Sequence, residues 1–435
     1  MPSSIISIGQ ATGPRRSSCG YCSPPGERSQ ADTFVQSGGL VGIQLSCDVY
    51  QRMIDRGWRR SGTWCYKPWL EKSCCPQYTI RLDATAFAPS KSQRKLITRW
   101  NRYVTEGDGS EGRGTSGPNQ SAQPSKVAKP TKSGSSPADF LTSLHAVEKN
   151  SLGGSSSAST KHIFEVTLEP SSLTQEKYDL YDLYQKNIHK DKENTVSGFK
   201  RFLVTSPLAS EPIAYSGSRK EHLPQEYGSY HQMYRVDGKL IAMGVLDILP
   251  SCVSSVYFVY DPAWEKHSLG KLSALREIAL ARKMHEAGAK DLKYLYMGFY
   301  IQSCQKMRYK GDYQPSFLAD PEDYTWHPLD IVCRPLLEKH RYACFSAPER
   351  SSNAEVDDDE DLETPSTPIE VDEALLSSLQ AATPPFRSPL RSPLTVLPIT
   401  RTKTWRDPYE RGDILHCVKG LGEEVSREII FAVYV

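Results

Sequence analysis

The 435-residue chain has no apolar run of the roughly eighteen residues that a membrane span needs. Its opening, MPSSIISIGQATGPRR, lacks the charged start and apolar centre of a secretory signal, which points to the cytoplasm or nucleus. Charge of one sign is missing too. Lys and Arg total 53 against 51 Asp and Glu, a formal net charge of +2, so any RNA contact must come from a local basic face. No internal repeat and no Ser-His-Asp signature appear. What is present is core-forming material: hydrophobic residues make up 38% and aromatics 10% of a chain long enough for two domains plus unstructured segments.

Composition divides the chain. Residues 1–104 form a cysteine-bearing block. Residues 105–160, rich in Gly, Ser, Pro and Lys, read as a disordered linker, because such a stretch buries too little apolar surface to offset its ordering entropy. Residues 161–346 form the main block. Residues 347–400 hold the acidic run Asp357 to Asp361 and the pairs Ser388-Pro389 and Ser392-Pro393, and read as a second disordered insert with one short helix near Val371 to Gln380. Residues 401–435 form a tail whose apolar end suits a strand docking on one of the sheets.

Within the main block, Gln175 to Lys190 carries a broad helical stripe of Tyr, Leu and Ile. Tyr230 to Val236 reads as a strand, Asp237-Gly238 as a type I′ hairpin turn, and Lys239 to Leu249 as the returning strand. Val253 to Tyr260 is a third strand. Ser268 opens a helix that closes near Gly288, and Leu292 to Ile301 is a fourth strand. Three meandering strands, a helix and a strand able to pair in parallel predict an α+β, GNAT-like fold of the acyl-CoA N-acyltransferase type, with a small Cys-rich domain before it.

Eleven cysteines in a reducing compartment point to metal binding or catalysis before disulfides. Cys47, Cys65, Cys252, Cys304, Cys333, Cys344 and Cys417 are scattered and read as small buried hydrophobes. Cys19 and Cys22 share one tight turn, and Cys74 and Cys75 are adjacent before Pro76. Four thiolates from two loops suit zinc or an iron–sulfur cluster. Adjacent cysteines strain joint binding, so burial of Cys74 and Cys75 is the competing reading. Between the pairs, Trp58, Trp64 and Trp69 interleave with Arg56, Arg59, Arg60 and Lys67, a pattern that suits stacking on bases, clamping an acid, or a small core.

Longer strings carry a resemblance. Gly57-Trp58-Arg59-Arg60-Ser61-Gly62 and Cys74-Cys75-Pro76-Gln77-Tyr78 resemble the N-terminal domain of eukaryotic arginyl-tRNA–protein transferases. Tyr227-Gly228-Ser229-Tyr230-His231-Gln232, Tyr260-Asp261-Pro262, Tyr296-Met297-Gly298-Phe299-Tyr300 and Lys306-Met307-Arg308-Tyr309-Lys310-Gly311 resemble the C-terminal domain. The resemblance implies a GNAT-type catalytic domain and an iron–sulfur or zinc site at Cys19, Cys22, Cys74 and Cys75. It also implies arginyl-tRNA as donor, proteins starting with Asp, Glu or oxidised Cys as acceptors, and a degradation-signal role.

The chemistry then needs alignment first, a modest general base second and oxyanion stabilisation third, since the ester donor is already activated. Lys306 and Arg308 are the candidate readers of an acidic first residue, with Tyr230, Arg59 and Arg60 beside them; a solvated loop is the competing reading for the first two. His231, Gln302 and Ser303 are the catalytic candidates, though a sheet histidine is more often a satisfied core group. Asp247 and Glu277 could hold the arginyl guanidinium or pair with a neighbouring basic residue. Lys200, Arg201, Lys266, Ser268 and Lys271 surround a helix start suited to tRNA phosphates. That start lacks the glycine-rich pattern of coenzyme A sites, so no coenzyme A is expected. An acetyl-CoA-dependent N-acyltransferase and a non-catalytic metal-dependent reader of acidic N-termini are the rival readings.

Overall fold

Local sequence signals and long-range pairing can be separated in the computed structural model, which describes residues 5–22, 27–108, 137–149, 160–217, 221–354, 370–383 and 395–433. The N-terminal strands are β1 (Ser7–Thr12), β2 (Phe34–Gln44), β3 (Arg59–Ser61), β4 (Trp64–Pro68) and β5 (Tyr78–Asp83). Then come β6 (Phe164–Pro170), β7 (Glu226–Val236), β8 (Lys239–Ile248), β9 (Cys252–Tyr260), β10 (Tyr294–Tyr300), β11 (Ser316–Ala319) and β12 (Ile429–Ala432). The longer helices are α1 (Cys47–Asp55), α2 (Lys91–Glu106), α3 (Pro137–His145), α4 (Gln175–Tyr184), α5 (Leu269–Glu286) and α6 (Pro408–Leu421).

Two sheets organise the described residues. One runs Val396–Pro398, Gln380–Ala382, β12, β1, β2, β4, β3; the other runs Trp326–Pro328, β11, β5, β10, β9, β8, β7, β6. The hairpin between β7 and β8 turns at Asp237 and Gly238, whose φ values of 51° and 81° are those a type I′ turn requires. From β9 the chain crosses through α5 to β10, which pairs in parallel with β9 as the element order predicts. Leu272, Leu275, Ile278 and Ala279 are buried, but so are their neighbours from Ser273 to Arg282, so α5 is enclosed nearly all round rather than on one face.

The parallel pair does not last. β9 and β10 are matched only at Cys252–Tyr294, Val253–Leu295 and Ser254–Tyr296. Beyond this, β9 stays with β8 as far as Tyr260, while β10 breaks register with β5 between Tyr296 and Phe299. Gly298 lies in that break with φ of 68°, a conformation that favours glycine. The strands part, and a wedge opens between them.

Several boundaries move. Residues 78–106 belong to the second sheet rather than to the N-terminal block: β5 inserts between β10 and β11, and Leu96, Ile97 and Trp100 of α2 enter that core. The segment 105–160 contains α3, where Phe140 and Leu144, four residues apart, are buried, so two anchors suffice to dock a helix in a polar stretch. In 347–400 the expected short helix is present as Glu373–Ser378, and Gln380–Ala382 and Val396–Pro398 add strands to the first sheet. The acidic run and both Ser-Pro pairs lie outside the described residues. The tail docks as β12, parallel to β1, preceded by α6, which residue periodicity did not foreshadow. Among the described residues no helix is long and apolar enough to cross a membrane.

Candidate active site

The four cysteines meet. The sulfurs of Cys19, Cys22, Cys74 and Cys75 all lie within 4.8 Å of one another, with Cys22 and Cys74 3.4 Å apart. Hydrogen bonds from Cys19 and then Cys75 favour the thiolate of Cys74 and push its pKa well down, while the two donors are pushed up. A soft, converging set of four fits zinc or an iron–sulfur cluster. Cys74 and Cys75 are therefore not merely core. The scattered cysteines are buried, as expected. Against the cluster pack Phe34, Ile301 and Cys304, so the thiols back directly onto the end of β10.

In front of them the wedge holds a cavity of about 750 Å³. Ser254 to Phe258 of β9 and Met297 to Phe299 of β10 form two walls, and Gly270, Ser273 and Glu277 of α5 face it. The cysteine loop contributes Tyr21 and Arg28, the first sheet Arg59 and Tyr66, and the segment after β10 Lys306 and Lys310.

Two adjacent arginines line it with opposite fates. Arg60 is buried and forked onto Asp247 at 2.8 and 2.6 Å, with the Ser229 hydroxyl donating to the same carboxylate at 2.7 Å. Burial works against its charge, but Asp247 more than compensates and holds Arg60 protonated. Arg59, equally buried, donates to the carbonyls of Ile54, Trp58 and Gly298 at 3.2, 2.6 and 3.1 Å and lies 4.9 Å from the Phe299 ring. Among the described residues no carboxylate pairs with it. Burial pushes its pKa down. Opposite in sign, Glu277 is buried, accepts from Ser273 at 2.5 Å and has no cation partner among the described residues; burial pushes its carboxyl up. Its neighbour Arg276 turns instead to Glu148.

The other candidates disperse. His231 is fully buried and its Nε2 donates to the Leu203 carbonyl at 2.9 Å. Burial pushes it down to about 4, and it does not line the wedge, so it is a core histidine rather than a base. Tyr230 donates to the Glu226 carbonyl at 2.7 Å, away from the wedge. Gln302 accepts from Tyr300, and Ser303 is exposed; neither lines the cavity. Lys306 does, while exposed Arg308 stands beside it. Lys266 pairs with Asp108 at 2.9 Å, and Lys200, Arg201 and Lys271 are exposed. Ser268 precedes α5 with φ of 55° and makes no side-chain cap bond. Sequence reasoning missed Tyr21, Arg28 and Lys310. Their placement depends on the crossing of the two sheets, which leaves no local trace.

Family models described as arginine-tRNA-protein transferase, N terminus and C terminus, match residues 17–95 and 176–320. A relative from Drosophila melanogaster named arginyl-tRNA–protein transferase 1 is 35% identical over 78% of this chain and 85% of its own length. The chain belongs to the arginyl-tRNA–protein transferase family. An Arabidopsis thaliana member is 31% identical over 77% of this chain and 74% of its own length. An aspartate/glutamate leucyltransferase from Pseudomonas savastanoi is 25% identical over 68% of this chain and 88% of its own length. The enzyme is thus an arginyltransferase whose substrates are arginyl-tRNA and proteins, and the wedge offers unneutralised charge of both signs in one cavity.

Proposed function

We propose that the wedge joins arginine from arginyl-tRNA to the α-amine of proteins that begin with Asp, Glu or oxidised Cys, marking them for degradation, in the cytoplasm or nucleus. The observation that carries this reading is the pairing of two unmatched buried charges, Arg59 and Glu277, across one cavity. An acidic first residue would supply the carboxylate that Arg59 lacks, with Lys306 at the mouth. The arginyl guanidinium would supply the cation that Glu277 lacks. Charge-assisted bonds of this kind are strong because both partners are already desolvated. The aspartate/glutamate specificity in the bacterial relative's name supports the acidic acceptor. The parting of β9 and β10 supports a GNAT-like catalytic domain in which the ester lies between the strands. The start of α5, with the exposed Lys266 and Lys271 beside it, is the candidate contact for tRNA phosphates, and the exposed Lys200 and Arg201 are further candidates.

Zinc or an iron–sulfur cluster held by Cys19, Cys22, Cys74 and Cys75 would tie two distant loops together when bound. Tyr21 and Arg28 belong to one of those loops, so this closure positions part of the cavity wall.

Labelled arginyl-tRNA incubated with peptides differing only in the first residue tests the reading. Label should reach Asp and Glu peptides and essentially none should reach Ala or Lys peptides; equal transfer to all would reject acidic specificity. Ser255→Trp, which fills the wedge, should abolish transfer. A fully active Ser255→Trp enzyme would place the reaction elsewhere.

A further inference from the structure

We infer that Lys310 is the general base that takes the proton from the attacking α-amine. This rests on the wedge being the active site. Lys310 is carried on the segment after β10, and its ammonium nitrogen donates to the Phe299 carbonyl at 2.9 Å, beside the Met307 sulfur at 3.5 Å. It lines the cavity and forms no ion pair among the described residues. Gly298 runs beside it: a Cβ there would meet the Lys310 nitrogen at 3.8 Å, an ordinary contact, and it is the left-handed backbone that favours glycine at that point.

Its surroundings favour the neutral amine. Burial is the largest influence and the Arg59 guanidinium the next; against the weaker upward pull of Cys304 they bring Lys310 down to about 7. Arg28 and Lys306 add positive charge to the same cavity, while Glu277, on α5, is the opposing carboxylate. The tyrosines Tyr21, Tyr66, Tyr257 and Tyr309 are each pushed up by burial and stay neutral. A lysine near neutrality is about half deprotonated at pH 7, the condition under which a general base works best. Arg59 therefore has two tasks: reading the acidic side chain and keeping Lys310 deprotonated.

The step balances without any further reactant. The α-nitrogen attacks the ester carbonyl carbon, and its proton passes to the Lys310 nitrogen. The carbon–oxygen ester bond breaks, a peptide bond has formed, and the terminal ribose oxygen leaves with the proton that Lys310 returns.

Lys310→Arg keeps the positive charge and the hydrogen-bonding reach but cannot deprotonate near neutrality. Single-turnover transfer to an Asp peptide at pH 7 should fall by roughly 10²- to 10⁴-fold, with arginyl-tRNA affinity retained. Lys310→Ala should fall similarly and be rescued by added methylamine, a readout available only to a folded site. The wild-type rate should rise with pH through a limb near or somewhat above 7, because the bound acidic residue favours the ammonium. A Lys310→Arg enzyme with wild-type rates, or a rate that falls as pH rises through 7, would overturn the assignment and make Lys310 a carboxylate reader. Ser255→Trp separates the two failures. If it is dead while Lys310→Arg is fully active, only the base is wrong; if it too is active, the wedge is not the site.

Discussion

The back and the front of the wedge solve the same problem in opposite ways. At the back, Arg60 is buried with its counter-charge in place, forked onto Asp247 and braced by Ser229. At the front, Arg59 and Glu277 are buried and Lys310 half-buried, with no ion-pair partner among the described residues; loss of water is the largest influence on each pKa, and Arg59 adds to it at Lys310. A buried charge is tolerated when paired and costly when not. On the proposed function, the back is scaffold and the front is a set of deficits that substrates would make good. Arg59 and Arg60, adjacent on β3, point to opposite faces as strand alternation requires, and what each face meets sets its role.

The largest expected effect comes from breaking the back. Arg60→Met should cost about 3–5 kcal/mol, because Asp247 is left buried and unpaired, and Arg60→Met with Asp247→Leu should recover most of it. Arg59→Met should cost far less stability while lowering transfer to Asp peptides about 100-fold or more, the loss of a charge-assisted bond. Urea denaturation beside transfer rates checks both. Equal stability losses at the two arginines would erase the distinction drawn here.

His231 lies outside the wedge lining, two residues from Ser229 on the same face of β7. Its folded pKa of about 4 lies below the unfolded value of about 6.5, so the unfolded chain binds its proton first. The stability it contributes is full above about 6.5 and lost as pH falls from there through 4, some ~3 kcal/mol in all. His231→Gln should lose less stability over that window, read from denaturation midpoints at pH 7 and 4.5, with transfer at pH 7 little changed. A large drop in rate without unfolding would return this histidine to the reaction.

At the front, Cys74→Ser should strip the bound metal, measured by elemental analysis, and weaken use of acidic peptides by about tenfold or more as the loop bearing Tyr21 and Arg28 loosens. Wild-type protein purified without zinc or iron and still active would end this idea. Glu277→Gln should weaken arginyl-tRNA use about tenfold, roughly 1.4 kcal/mol, yet leave stability at pH 7 equal or higher. The sign follows from its raised carboxyl pKa, which makes the ionised group a net cost once pH exceeds the unfolded value. The smallest effect belongs to Lys266→Ala. Its exposed pair with Asp108 should contribute under about 1 kcal/mol, and only the salt dependence of tRNA binding should move.

By itself the sequence determined the local elements and the ligand chemistry of one site. The Asp237-Gly238 turn, the helix α5 and the order of strands around it follow from backbone preferences and periodicity that act within a few residues. Thiols are so much better suited to metal than other side chains that Cys19, Cys22, Cys74 and Cys75 could be grouped across fifty residues without knowing the fold. Long strings shared with arginyl-tRNA–protein transferases supplied the activity. Only the tertiary structure decided which charges are matched. Asp247 claims Arg60 because β8 and β3 come from different sheets that cross there, and nothing near either residue announces the other. The same crossing leaves Arg59 without a carboxylate and sets it where, with burial, it lowers the pKa of Lys310. Whether a buried ion is scaffold or site depends on the sum of charges around it, and that sum is a property of the packed molecule.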